Sequence, residues 1–231
     1  MIAARIPDSA PPLVIFGASN MLSDLFDCAL ANGLRPSRIV LHLPEPDGPR
    51  DKPLAERIAA LAPLCTPPTV LHLDDFLPQP GERYILGPTT PTRAVLAEEI
   101  ECRFGLAYAT LVHPTAYVSP LATLGQGCFV GANSVIAPGV ALDEHVFVNR
   151  GATIGHDTRI GAFSRVQPGA HMGSLSVVGR GVTIGIGATV MERLVIGEGA
   201  VIGAGSVVTR DVPAAMVVVG TPAKVTRAVS P

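Results

Sequence analysis

The chain contains no tryptophan and few other aromatic or charged residues. Aromatic residues make up 4% of the 231 residues and charged residues 16%, whereas hydrophobic residues make up 48%. The core must therefore be built from valine, isoleucine, leucine and alanine, and the chain is too apolar to be a disordered polymer. Its length allows one or two domains.

The sequence also lacks the features of nucleic-acid-binding, membrane-spanning and secreted proteins. The formal net charge of −2 provides no basic surface for nucleic acid or an anionic membrane. No apolar run reaches the roughly 18 residues of a membrane span, and the start MIAARIPDSAPP has no signal-peptide pattern. The cysteines Cys28, Cys65, Cys102 and Cys128 form no CxxC pair. We expect a reduced, cytoplasmic protein without a zinc knuckle or a disulfide framework.

Glycine and proline, in contrast, are abundant and unevenly distributed. Of 22 prolines, 15 precede residue 112, whereas 17 of 24 glycines lie between residues 112 and 211. The uneven distribution predicts two domains, 1–111 and 112–211, followed by a C-terminal tail, 212–231.

The first of these domains alternates short apolar runs with amphipathic segments. The pattern predicts strands at 13–17, 38–43, 69–73 and 84–87, and helices at 21–31, 54–61 and 92–103. Alternation at this spacing is typical of a parallel α/β sheet with its loops at the carboxyl ends of the strands. We therefore predict a small parallel α/β domain.

The second domain contains an internal repeat of six residues. Every sixth position from 112 to 208 is a branched aliphatic residue except Met172, and nine of these 17 positions are followed by glycine. The positions are Val112, Val118, Leu124, Val130, Ile136, Leu142, Val148, Ile154, Ile160, Val166, Met172, Val178, Ile184, Val190, Ile196, Ile202 and Val208. A constant period over so many repeats indicates a solenoid.

Each six-residue unit has the composition of a short strand followed by a tight corner. The aliphatic residue points inward, and glycine permits the corner geometry that a Cβ would obstruct. Three such sides make a triangular coil of 18 residues, so the domain forms about five and a half coils and a prism about 25 Å tall. Its core is too narrow for a pocket. Ligands must therefore bind on the outer faces or between copies of the chain.

The histidines of the repeat are not spaced as a metal site. Residues 18 apart stack in neighbouring coils, but no two of His113, His145, His156 and His171 differ by a multiple of 18. A zinc site needs convergent ligands. We expect no metal in this chain.

Three stretches of the chain carry a resemblance to a known family. They are HPTAYVSPLATLGQGCFVGANSVI, FVNRGATIGHDTRIGAFSRVQPGAHMGS and IGAGSVVTRDVPAAMVVVGTPAK. The chain resembles the hexapeptide-repeat sugar acyltransferases typified by bacillosamine and perosamine N-acetyltransferases and by the sialic acid O-acetyltransferase group. The resemblance covers essentially the whole chain. It implies a small Rossmann-like nucleotide-sugar domain followed by a left-handed parallel β-helix.

The resemblance also implies a set of site residues. It places the catalytic base in a His-Asp pair, His156 and Asp157, with Asn149 seven residues earlier. The position one coil after the base, Ser174 preceded by Gly173, would offer a backbone N–H to the oxyanion. Acetyl-CoA would lie between two copies of a homotrimer, at positions matching Ile186, Ala204 and Lys224. An exposed polar corner at His156 and a solvated charge at Lys224 are the plainer alternatives.

Two departures from the family pattern affect the acceptor. The position where the family commonly has a second histidine is Arg165, which cannot act as a base but can hold a carboxylate or phosphate; otherwise it is an outward charge on a strand. The first turn is Gly17-Ala18-Ser19-Asn20-Met21 instead of a Gly-His motif, and Glu45 is the only acid near the end of the second strand. We expect Gly17, Ser19 and Asn20, with Asn149 and Arg165, to contact the substrate.

Three functions are consistent with these residues. The leading hypothesis is an acyl-CoA-dependent N-acetyltransferase that acts on a nucleotide-linked amino sugar in surface-polysaccharide or glycan synthesis. The second is an O-acetyltransferase of a sugar, sialic acid or other acceptor, and it is motivated by the altered first turn. The third is a non-catalytic trimeric scaffold that retains only the prism.

Overall fold

The computed structural model describes residues 5–44, 48 and 50–229 of the protein, and the chain divides into two compact units. The first unit consists of Met1–Thr89 and Val95–Ala109, and the second of Thr90–Ala94 and Thr110–Pro231. The boundary after Ala109 lies two residues before the boundary expected at 111/112. Residues 212–231, expected to be a tail, are grouped with the second unit.

The first unit is built on a four-stranded parallel sheet in the order β3-β2-β1-β4. The four apolar residues of β1 from Leu13 to Phe16 are all fully buried, as expected for a central strand covered on both faces. The elements in chain order are β1 (Pro12–Phe16), α1 (Leu22–Ala31), β2 (Arg35–Leu41), α2 (Leu54–Ala59), β3 (Thr69–His72), a 3-10 turn (Leu73–Asp75), β4 (Arg83–Leu86) and α3 (Arg93–Phe104). The first two residues of α3 are grouped with the second unit. This order is the Rossmann-like arrangement expected from the sequence.

The second unit is a run of two-residue strands separated by corners. They are β5 (Leu111–Val112), β6 (Tyr117–Val118), β7 (Thr123–Leu124), β8 (Phe129–Val130), β9 (Val135–Ile136), β10 (Ala141–Leu142), β11 (Phe147–Val148), β12 (Thr153–Ile154), β13 (Arg159–Ile160), β14 (Arg165–Val166), β15 (His171–Met172), β16 (Val177–Val178), β17 (Thr183–Ile184), β18 (Thr189–Val190), β19 (Val195–Ile196), β20 (Val201–Ile202) and β21 (Val207–Val208). All pairs between them are parallel, and partners are 18 residues apart, as between Ile154 and Met172. The period of the sequence is therefore the period of the coil.

Every third strand joins the same sheet, which makes three faces. The first face contains β5, β8, β11, β14, β17 and β20; the second contains β6, β9, β12, β15, β18 and β21; the third contains β7, β10, β13, β16 and β19. The chain then forms β22 (Met216–Gly220) and β23 (Ala223–Ala228), which extend the first face beyond β20. Residues 216–228 thus complete a sheet of the prism.

The repeated aliphatic positions point into the prism and make its core. Ile154, Ile160 and Val166 in the middle of the prism are at most 1% exposed. Val112 and Leu124 are only partly buried, because their strands lie in the first coil and pair with a neighbouring coil on one side only. In the described part of the chain, no helix has both the length and the hydropathy needed to cross a bilayer.

Candidate active site

The His156 and Asp157 side chains meet at a corner of the prism. The corner joins β12 on the second face to β13 on the third. Adjacent side chains on a strand point to opposite sides, but Asp157 has a left-handed backbone (φ 58°) at the corner. The His156 Nδ1 therefore lies 2.8 Å from the Asp157 Oδ2, and both side chains are more than half exposed.

This hydrogen bond determines which nitrogen of His156 is basic. An ionised carboxylate accepts hydrogen bonds and cannot donate one, so the proton between the two groups belongs to Nδ1. Nε2 is then the nitrogen with a free lone pair, since a neutral imidazole carries only one N–H. With Asp157 ionised, Nε2 of His156 is therefore left without a proton on this exposed corner.

Gly139, one coil before Asp157, leaves space for the carboxylate. A Cβ on Gly139 would lie 2.2 Å from Asp157 Oδ1, which is closer than two nonbonded atoms can approach. The sequence analysis did not identify Gly139 as a site residue. The spacing of 18 residues between Gly139 and Asp157 could have identified it.

One coil after His156, the two residues expected to bind an oxyanion differ in their hydrogen bonds. The Gly173 N–H donates to the carbonyl of Val190 (2.7 Å) as part of the sheet, so it is already used. The Ser174 N–H has no acceptor within residues 5–44, 48 and 50–229. Ser174 N also faces Gly155, where a Cβ would lie only 2.6 Å away. Ser174 is therefore the donor that the geometry favours.

Arg165 lies on the first face, which is opposite the corner of His156, and Asn149 directly follows β11 at the corner between the first and second faces. The Asn149 side chain is buried, and its Oδ1 accepts the Arg150 N–H at 2.8 Å. Arg165 Nε donates to Thr183 Oγ1 at 3.0 Å. Within one chain, these two residues are not brought together with the His156–Asp157 pair.

The three positions expected to bind acetyl-CoA are grouped at another edge of the prism. Ile186 and Ala204 occupy the same corner, between the first and second faces, in successive coils. Lys224 on β23 pairs with Val219 on β22. Val219 in turn packs close to Gly203, where a Cβ would lie 2.6 Å from its side chain. The edge is exposed, and Ile186 is 59% accessible to solvent.

The loop after β1 in the first unit is held by hydrogen bonds to the protein. Gly17 has φ 82°, and a Cβ there would lie 2.9 Å from Pro88. Ser19 Oγ donates to the Gly87 carbonyl at 2.8 Å. Asn20 Nδ2 donates to Asp51 Oδ1 at 2.6 Å, and Asn20 Oδ1 accepts from Arg57 at 2.8 Å. Ser19, Asn20, Lys52 and Arg57 line a shallow cleft at this edge of the sheet.

His42 is a second residue that the sequence analysis did not identify. It follows β2, and a Cβ on Gly17 would lie 3.0 Å from its Cε1. Its Nδ1 is buried without a hydrogen-bond partner in the described ranges, and burial lowers the pKa of His42. The only signal was its place near the carboxyl end of the strand predicted at 38–43. Glu45, expected nearby, lies outside the described residues.

Other features of the described residues concern metals and thiols. No group of three or more His, Cys, Asp or Glu side chains is placed to hold a metal ion in the part of the chain that the structure covers. The four cysteines are free thiols, and only Cys102 is exposed.

Family models match the repeat of the second unit. The bacterial transferase hexapeptide model matches residues 175–210, and the hexapeptide repeat of succinyl-transferase matches residues 122–149 and 151–186. A comparison with curated proteins gives no match.

Solved structures match nearly the whole chain. The acetyltransferase domain of PglB from Neisseria gonorrhoeae, in complex with acetyl coenzyme A, is 28% identical with a TM-score of 0.78, covering 94% of this chain and all of that one. A histidine-to-asparagine mutant of perosamine N-acetyltransferase from Caulobacter crescentus, in complex with CoA and GDP-perosamine, is 26% identical with a TM-score of 0.79, covering 98% of both chains. WeeI from Acinetobacter baumannii, 20% identical with a TM-score of 0.67 over 93% of this chain and 99% of that one, shares the fold.

The second unit contains the hexapeptide repeat of bacterial transferases, and the fold of the chain is similar to that of acyltransferases that carry this repeat. Within that class, the chain is similar to the nucleotide-sugar acyltransferases, as the sequence analysis expected. The fold class is confirmed as a small Rossmann-like unit followed by a left-handed parallel β-helix.

Proposed function

We propose that the protein transfers an acetyl group from acetyl-CoA to the amine of a nucleotide-linked amino sugar, with His156 as the general base. The observation that carries the proposal is the 2.8 Å hydrogen bond between His156 and Asp157 on an exposed corner. The similar structures that hold acetyl coenzyme A, or CoA with GDP-perosamine, support the two substrates.

His156 would move one proton during the reaction. The sugar amine attacks the carbonyl carbon of the thioester, and His156 Nε2 takes a proton from the attacking nitrogen. When the C–S bond breaks, the imidazolium returns that proton to the CoA sulfur. Asp157 stabilises the imidazolium between these steps and keeps Nε2 directed outward.

Ser174 would stabilise the negative charge that develops on the carbonyl oxygen. Its N–H has no acceptor in the described part of the chain, and it lies one coil after His156. A backbone donor held by a rigid coil needs little reorganisation during the reaction. Because the donor is a main-chain group, a serine serves at this position as well as a glycine.

The complete site would require a second copy of the chain, in a homotrimer. His156 lies on the corner between the second and third faces, whereas Ile186 and Ala204 lie on the corner between the first and second. Exposed valines flank the His156 corner on its two faces: Val135, Val177 and Val195 are 40–51% accessible. A neighbouring prism would cover these valines and bring its Ile186 edge to the base.

The loop after β1, with Gly17, Ser19 and Asn20, would bind the nucleotide at the carboxyl edge of the parallel sheet. Ligands of open α/β sheets bind at this edge. We place the reaction in the cytoplasm, in keeping with four cysteines that form no disulfide.

The purified protein is incubated with acetyl-CoA and a panel of nucleotide-linked amino sugars. The release of free thiol measures acetyl transfer. We expect turnover of at least one acceptor and a loss in kcat of about 100-fold or more in His156→Ala, because a positioned base contributes that much. His113→Ala, in the first coil, is the matched control and should retain activity. Full activity of His156→Ala contradicts the proposal. Acetylation of hydroxyl acceptors alone supports the O-acetyltransferase, and no turnover with no acetyl-CoA binding supports the scaffold.

A further inference from the structure

Arg165 presents one edge of its guanidinium with no partner. It occupies the outward position of β14, in register with Phe147 and Thr183 on the neighbouring coils. Its Nε donates to Thr183 Oγ1 at 3.0 Å, and the side chain is partly buried. In the described ranges, neither Nη of Arg165 has a hydrogen-bond acceptor, and no carboxylate lies within salt-bridge distance.

A second guanidinium lies beside this one. Arg93, 4% exposed, donates to the carbonyl of Ser164, the residue before Arg165, at 3.3 Å and also to the carbonyl of His145. Burial, followed by the charge of Arg165, lowers the pKa of Arg93 to about 9. Burial also lowers the pKa of Arg165. Two like charges, one buried and the other partly buried, raise the free energy of the folded chain unless an anion binds near them.

The free edge of Arg165 matches one planar anion. Two parallel N–H groups of a guanidinium bind the two oxygens of a carboxylate in a bidentate manner. A nucleotide diphosphate, which carries more charge and more oxygens, needs more donors than this single edge. Phe147 and Thr183 on either side are uncharged, so they do not compete for the anion.

We propose that Arg165, with Arg93 behind it, binds a carboxylate on the acceptor, so that the sugar acylated by this protein is an amino sugar acid. The inference rests on the proposed function. Arg165 lies nine residues after His156, half of an 18-residue coil, and therefore on the face opposite that corner. An acceptor whose carboxylate binds Arg165 of one copy would therefore react at His156 of another copy.

A binding experiment tests the anion site without the reaction. Titration calorimetry compares UDP-glucuronate with UDP-glucose, and free glucuronate with glucose, on the full-length wild type, Arg165→Met and Arg210→Met. None of these ligands has an amine, so no acetyl transfer interferes. We expect the wild type to bind each acid about 10- to 100-fold more tightly than its neutral partner, and Arg165→Met to lose that preference. Arg210 is exposed, and its variant should keep the preference.

Kinetics with two acceptors distinguishes a carboxylate site from a phosphate site. Nucleotide-linked amino sugars with a carboxylate or a methyl group at C6 are compared at saturating acetyl-CoA. We expect Arg165→Met to lower kcat/KM for the acid by about 10- to 100-fold, with little change for the methyl sugar. Equal losses for both acceptors would indicate contact with a phosphate and overturn the inference, as would equal binding of UDP-glucuronate and UDP-glucose by the wild type. Absence of any acetyl transfer contradicts the proposed function instead, and the calorimetry still decides the anion site.

Discussion

Several corner residues of the repeat have a left-handed backbone conformation. Glycine adopts this conformation easily, whereas other residues pay about 1 kcal/mol or more for it. Six corner residues of the repeat adopt it without being glycine: Asn133, His145, Asp157, Phe163, Leu175 and Arg193. Asp157 is held there against His156, and His145 is stacked on Phe163 with 4.8 Å between ring centroids. At Asp157, His145 and Phe163, the strained backbone thus coincides with a specific side-chain contact.

His145 should make the protein sensitive to acid. It is 4% exposed, and burial, followed by the charges of Arg93 and Arg180, lowers its pKa to about 4. In the unfolded chain its pKa is about 6.5, so the unfolded state binds the proton first as the pH falls. Neutral His145 contributes about 3 kcal/mol to the free energy of unfolding above pH 6.5. This contribution is lost progressively as the pH falls from 6.5 to 4.

Thermal unfolding as a function of pH checks this contribution. Asparagine tolerates the left-handed corner and does not titrate. The Tm of His145→Asn should therefore decrease less between pH 7 and pH 4.5 than the Tm of the wild type. At pH 7 the variant should be somewhat less stable, because it loses the stack on Phe163. Parallel pH profiles for the two proteins would contradict the prediction.

At the scale of an element, each corner is shaped by the coil on either side of it. Side chains at a corner have their neighbours 18 residues away, so a glycine in one coil makes room for a functional group in the next. Gly139 does this for Asp157, and Gly155 does it for Ser174. These glycines shape the proposed site although they contribute no side chain.

Gly139→Ala should lower activity through Asp157. Its Cβ would lie 2.2 Å from Asp157 Oδ1, so the carboxylate must move away from His156. Gly151→Ala is a matched control: its φ of 66° is close to the 72° of Gly139, but a Cβ there meets nothing within 4 Å. Both variants should lose about 1 kcal/mol of stability from the strained backbone. Only Gly139→Ala should lose about tenfold or more in kcat. Equal kcat losses in the two variants would show that the effect is strain alone.

At the scale of the whole molecule, the proposed site takes its parts from two copies of the chain. His156→Ala and Ile186→Glu should each be inactive alone, the first through loss of the base and the second through blocked acyl-donor binding. In trimers from random 1:1 co-expression, about one quarter of the sites would combine an intact His156 with an intact Ile186 from the neighbour. Steady-state rates near that fraction of wild type are expected. No recovery in confirmed mixed trimers would show that one chain supplies both parts.

The sequence by itself determined the architecture of both units. The six-residue period predicted the coil, because neighbours in a solenoid always lie one coil apart and the pattern repeats at that distance. Alternating apolar and amphipathic segments predicted the parallel sheet, and the adjacency of His156 and Asp157 placed both residues at one corner. These features depend on local or periodic relations, which a sequence shows directly.

The tertiary structure alone decided which groups are available for chemistry. It showed that the Gly173 N–H is used by the sheet whereas that of Ser174 is not, and that His42 lies against Gly17. It also brought Arg93 to carbonyls 52 and 71 residues away, next to Arg165. Such contacts join Arg93 to coils of the same unit with which it shares no period. Hydrogen-bond partners and charge neighbours of this kind depend on three-dimensional packing, so no pattern in the sequence reveals them.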